Sequence, residues 1–127
     1  VHWNALVSAY GESPFFDYYQ DDIRPFYERK WEFLFDFNTA IMYKMIELLD
    51  IRPSVSFTES YISADAYKNN GEIDDFRDGI RPKKPLGDAS FDVRRYYQVY
   101  GQRHGFIPNL SILDLLFNEG NEAVLYL

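Results

Sequence analysis

The stretch RHGFIPNLSILDLLFNEG, residues 103–120, holds His104, Ser111 and Asp114. These are the three residue types of a serine nucleophile relay, in which an imidazole takes the hydroxyl proton and a carboxylate orients the imidazole. The spacing favours another use. Ser111 directly precedes an apolar run and Asp114 follows three residues on, which is the signature of a helix start. Both side chains are then expected to bond the backbone N–H groups that a first helical turn leaves open. So engaged, neither is free to relay a proton. Pro108 and Asn109 reinforce a turn just before the cap.

Other residues with chemical potential are scattered. His2 has the right ordinary pKa for general acid–base work, although beside Trp3 at a helix start it equally suits a cap or a packing contact. His104, in QRHGF, falls in a turn where a solvated or packing role leads. Without an H-x-x-x-H spacing or any cysteine, two histidines do not make a zinc site. No metal and no cofactor is expected. Arg77, Arg81, Lys83, Lys84, Arg94, Arg95 and Arg103 put seven of the 13 basic residues between 77 and 103. Such a run can hold the phosphates of a sugar nucleotide or a lipid-linked sugar. It can also be a solvated loop balancing Asp74, Asp75, Asp78 and Asp88, the commoner use of a charge run. Neither G-x-x-x-x-G-K nor G-x-G-x-x-G is present to cradle a phosphate.

The elements that must position these residues follow from periodicity. Residues 3–10 repeat apolar positions at helical spacing, with Gly11 as a stop. Ser13 is a candidate N-cap with Pro14 at the first helical position, and Pro25 is expected to break or kink that second helix. Over residues 30–50, Trp31, Leu34, Phe35, Asn38, Ile41, Met42, Met45 and Leu49 form one stripe, the clearest helix in the chain. Asn38 is the one polar residue on it, and a buried amide needs partners. Residues 54–62 alternate like one short strand. Residues 63–90 are rich in turn formers and read as a long connection, with one helical turn at DDFRDGI. Ile112, Leu113, Leu115, Leu116 and Phe117 make the last helix apolar all round and therefore central. Gly120 is placed to terminate it in the left-handed conformation.

The 127 residues suit one domain, 1–127, of mainly α class: a compact helical domain with at most one or two short strands. A composition 46% hydrophobic and 19% aromatic is that of a globular chain. The net charge of −7 argues against nucleic acid, whose binders neutralise phosphates. No apolar run approaches the roughly 20 residues of a membrane span. Zero cysteines fit a reducing, cytoplasmic setting. An opening on Val1-His2-Trp3 reads as the later part of a longer protein, lacking an N-terminal portion.

HWNALVSAYGESPFFDYY at the start, FLFDFN at 33–38 and YYQVYGQRHGFIPNLSILDLLFNEG at 96–120 resemble the WbqC-like family of bacterial proteins. The segments lie in family order across nearly the whole chain. Members often carry Pro after the final Gly, where this chain has Asn121. The resemblance implies a bacterial origin and, for some members, a place in surface-polysaccharide (O-antigen) synthesis. It brings no reaction with it. Motif residues carried over are His2, Tyr10, Asn38, Tyr97, Gln98 and Asn109. From these the candidate catalytic set is His2, Asn38 and Gln98. The candidate ligand-binding set is Tyr10, Tyr97, Arg81, Lys83 and Lys84, for a sugar or sugar-nucleotide ligand. Two functions stand open: an enzyme modifying a sugar or transferring a group to it, and a non-catalytic binding or scaffold protein of the same pathway. Convergence of His2, Asn38 and Tyr97-Gln98 on one cleft would favour the enzyme, and their dispersal the scaffold.

Overall fold

The computed structural model describes residues 1–68, 71–77, 79–80 and 91–127, and among these there is helix but no strand. In chain order the elements are α1 (His2–Tyr10), α2 (Phe16–Glu28), α3 (Leu34–Leu49), α4 (Ala64–Lys68), α5 (Gly101–His104), α6 (Ile112–Glu119) and a closing 3-10 helix (Gly120–Tyr126). They fall into two compact units, Val1–Pro53 with Val93–Leu127, and Ser54–Asp92.

The first unit is built on α6. Its residues 113–118 are all buried, as expected of a helix apolar on every side. Phe16, Tyr19 and Ile23 of α2, Met45 and Leu49 of α3, and Ala123 of the closing helix complete the core. The Phe117 ring lies 5.1 Å from that of Phe16 and 5.2 Å from that of Tyr10. Each fully buried Leu, Ile, Met or Phe side chain among them stabilises the fold by about 1.5–3 kcal/mol. Ser111 caps α6 as its spacing predicts, its Oγ accepting from the Leu113 N–H at 3.2 Å.

Helix boundaries differ from expectation where tertiary contacts decide them. Ser13 does not cap α2, which starts at Phe16; the Ser13 hydroxyl is buried without a hydrogen-bond partner. The chain is anchored instead by the Phe15 N–H, which donates to the Phe117 carbonyl at 2.9 Å. One group without a partner inside α2 thereby satisfies one at the end of α6. Pro25 does not break α2. It sits in the last turn on an exposed face, and Asp21, whose carbonyl loses its donor, is exposed too, so solvent can take the donor's place.

α3 starts at Leu34 rather than residue 30. The connector is held by a side chain: the Trp31 indole N–H donates to the Phe26 carbonyl at 2.9 Å. Only the far half of the apolar stripe is buried. Leu34 and Phe35 are 73% and 64% exposed, and Asn38 is exposed rather than buried. α3 ends at Asp50, which takes the left-handed conformation at φ 53°.

Gly11 follows α1 but stays right-handed, its N–H bonding the Val7 carbonyl at 2.8 Å. Gly120 stops α6 at φ 61° and ψ −130°, outside the left-handed helical region foreseen for it. A Cβ there would stand 2.7 Å from the Phe15 ring.

In the second unit, residues 54–62 form no strand, and the five-residue α4 stands where a connection was expected. Arg77 organises this unit. Its guanidinium grips both oxygens of Asp75, donates to the Ile62 carbonyl at 2.7 Å, and lies 5.6 Å and 5.1 Å from the ring centres of Tyr61 and Tyr67. Those bonds hold the Asp75 carboxyl down at about 2.

Candidate functional site

The segment after Val93 reaches α5 as extended chain, with no neighbouring strand among the described residues to take its amides. The polar side chains of α6 take them instead. The Val99 N–H donates to Asn118 Oδ1 at 3.0 Å and the Tyr97 N–H to Glu119 Oε1 at 2.8 Å. Asn118 is itself fixed by donating from Nδ2 to the Asp114 carbonyl one turn back, at 2.8 Å.

Asp114 is the centre of this seam. It does not cap α6, as the spacing had suggested, although its backbone N–H does bond the Ser111 carbonyl. Its side chain points inward, 5% exposed. Oδ2 accepts from the Tyr96 hydroxyl at 2.5 Å and from Gln98 Nε2 at 3.0 Å. A buried carboxylate is tolerable when it is hydrogen-bonded in this way. Gln98 then clasps Ile107 with both ends of its amide. Nε2 donates to the Ile107 carbonyl at 2.8 Å, and Oε1 accepts from the Ile107 N–H at 2.9 Å.

Beside this seam lies an open cleft of about 210 Å³. Ala9, Val99, Ile107 and Leu110 give it apolar walls; Tyr10, Gln98, Tyr100, His104 and Asp114 give it polar groups. Burial first, then the charge and hydrogen bonding of Asp114, push the Tyr10 phenol up to about 12. Burial and the bond to Asp114 also raise the Tyr96 phenol well above its ordinary value. Both remain hydrogen-bond donors at neutral pH. The cleft can therefore offer a phenol, an imidazole and a carboxylate to a hydroxyl-bearing ligand. Ser111 is absent from the lining and bonded to its own helix, which removes the serine relay.

The candidate residues separate. Tyr10 and Gln98 share this cleft. His2 lines a second cleft with Phe26, Tyr27, Arg29, Trp31 and Phe37. Asn38 and Tyr97 are exposed and line neither. Arg81, Lys83 and Lys84 lie outside the described residues. Asn109 holds φ 58° in the turn before α6. Asp114 and Asn118 were missed as partners of the 96–99 segment. Their signal was two polar residues one turn apart, inside a helix whose other residues before Glu119 are all apolar. Among the described residues no group of three metal-ligating side chains converges, and no helix is long and apolar enough to cross a membrane.

The fold and cleft define a small helical protein whose extended segment is docked onto a buried helix by that helix's own polar side chains. The chain belongs to the WbqC-like protein family, whose model matches residues 1–76 and 88–126. No curated protein and no solved structure matches it.

Proposed function

We propose that the cleft lined by Tyr10, Gln98, His104 and Asp114 holds a neutral, hydroxyl-rich ligand. On this reading the protein is a single-domain, non-catalytic binding or scaffold component of bacterial surface-polysaccharide (O-antigen) synthesis in the cytoplasm. The polysaccharide setting comes from the family resemblance. The binding reading is supported by how the polar groups are used: the Gln98 amide is engaged at both ends by Ile107 and Asp114. A side chain so committed holds the backbone and has little left for chemistry. The separation of His2, Asn38 and Gln98 favours the same side. Among the described residues the lining includes no Arg or Lys, so a sugar ring suits it better than a phosphate. At about 210 Å³ it is smaller than the ~300–1,000 Å³ of sites that engulf a ligand, and it would take the end of a larger one.

The alternative is an enzyme that modifies a sugar or transfers a group to it. One observation favours it: His104 lines the same cleft as the buried Asp114. An imidazole there could take the proton of an attacking sugar hydroxyl.

A thermal-shift series with neutral hexoses and N-acetylhexosamines tests both. A rise in Tm that disappears in Tyr10→Phe is expected. No rise across the panel, or one unchanged in Tyr10→Phe, would remove the binding site. Turnover of such a sugar with an acyl donor, lost in a stably folded His104→Ala, would establish the enzyme instead.

A further inference from the structure

The second cleft differs in chemistry from the first and is the larger, about 390 Å³, within the usual range for small-molecule sites. Its walls are aromatic and packed on one another. The Trp31 and Phe26 rings are parallel, 1° apart in plane at 6.1 Å, and Phe37 meets Trp31 edge-on at 5.6 Å. Tyr27 meets Phe37 edge-on at 6.1 Å. The Trp31 N–H is consumed by the Phe26 carbonyl, so the indole cannot swing away without losing a bond.

Arg29 supplies the charge. Its guanidinium carbon lies 4.3 Å from the centre of the Trp31 ring. Among the described residues Arg29 forms no ion pair, in a chain of net charge −7. The adjacent carboxylate, Glu28, is taken by Arg24 at 2.5 Å. A guanidinium resting on a ring keeps its planar fork of N–H donors, which matches a carboxylate in two parallel bonds. Among the described residues the other polar groups in the lining are the imidazole of His2 and the phenol of Tyr27.

We propose that this cleft binds a ring compound carrying a carboxylate, with the ring against Trp31 and Phe37 and the carboxylate on Arg29. Aromatic rings pack against another arene and also present an apolar face to the C–H side of a sugar ring, so the same chemistry has two sources, an aromatic acid or a sugar acid. The site is independent of the neutral-ligand cleft.

Trp31 reports on its own site; the other tryptophan, Trp3, is outside the lining, stacked on Phe16 at 5.8 Å and 6.2 Å from the Tyr27 ring. Tryptophan emission is followed while the 127-residue chain is titrated with benzoate and, separately, with galacturonate. Benzamide and galactose serve as the uncharged counterparts. A saturable change with at least one acid is expected, roughly tenfold weaker for its uncharged counterpart and in Arg29→Gln. The change should vanish in Trp31→Phe and persist in Tyr10→Phe. Saturation by benzoate assigns an aromatic acid, and saturation by galacturonate a sugar acid. The proposal fails if neither acid saturates, if the uncharged compounds bind as well, or if Arg29→Gln binds as tightly. Because Arg29 is exposed, unchanged circular dichroism of that variant separates lost binding from lost fold.

Discussion

The two clefts of the first unit use polar groups in opposite ways. Around Asp114, carboxylate, amide and phenol are bound to one another and to the backbone, and the ligand space beside them is what remains. Around Trp31 the backbone is held by one indole bond, and the guanidinium rests on a ring without a carboxylate among the described residues. Polar side chains near a cavity are thus no guide to binding until their existing partners are counted. The seam should be costly to disturb and the aromatic cleft cheap, which gives a graded series of tests.

The largest effect is expected at high pH. Burial raises the phenols of Tyr10, Tyr19, Tyr27 and Tyr96 above their ordinary value of 10.0. Each stays protonated in the folded chain where the unfolded chain would ionise. Their contribution to stability is complete below pH 10 and is lost as pH climbs through the folded values, about 12 for Tyr10. Phenolate absorbance should therefore lag behind that of exposed tyrosines and then rise together with unfolding. Ionisation of all eleven tyrosines near pH 10 in a folded chain would refute the burial of these four phenols.

Next comes Asp114→Leu, which takes the acceptor from the Tyr96 hydroxyl and from one N–H of Gln98. A loss of about 3 kcal/mol is expected in urea unfolding. Gln98→Ala leaves the Ile107 N–H and carbonyl without their clasp and should cost about 2 kcal/mol. Ser111→Ala removes one cap bond, for about 1 kcal/mol. Smallest is Arg29→Gln, expected within about 0.5 kcal/mol of the parent because its side chain is exposed and makes no ion pair among the described residues. A loss comparable to that of Asp114→Leu would show that Arg29 belongs to the structure rather than to a ligand.

Local order was legible in the sequence, and long-range partnership was not. The spacing of Leu113, Leu116 and Phe117 announced a central helix, and Ser111 announced its cap, because both signals lie within one or two turns. Asp114 looked like a second cap for the same reason. Its real partners, Tyr96 and Gln98, stand 18 and 16 residues upstream, beyond any helical spacing. The helix of residues 30–50 forms only from Leu34 onward, since Trp31 is committed to the Phe26 carbonyl, and its apolar stripe is buried only in the far half. Pro25 did not break the helix because the penalty for a missing donor depends on whether its acceptor is exposed. Residues 54–62 alternate like a strand, but alternation alone provides no neighbour to pair with. For the cleft, motif resemblance pointed to Tyr10 and Gln98. It could not show that Gln98 was already occupied.

Where α6 gives way to the closing helix, the route of the chain is decided by atoms that are not there. Gly120 turns through dihedral angles that side-chain-bearing residues avoid, and the Phe15 ring occupies the volume a methyl would need. Backbone torsion and ring contact each veto a substitution separately, so relieving one would leave the other standing. That corner is a fixed pivot, and the last seven residues owe their heading to the smallest residue in the chain.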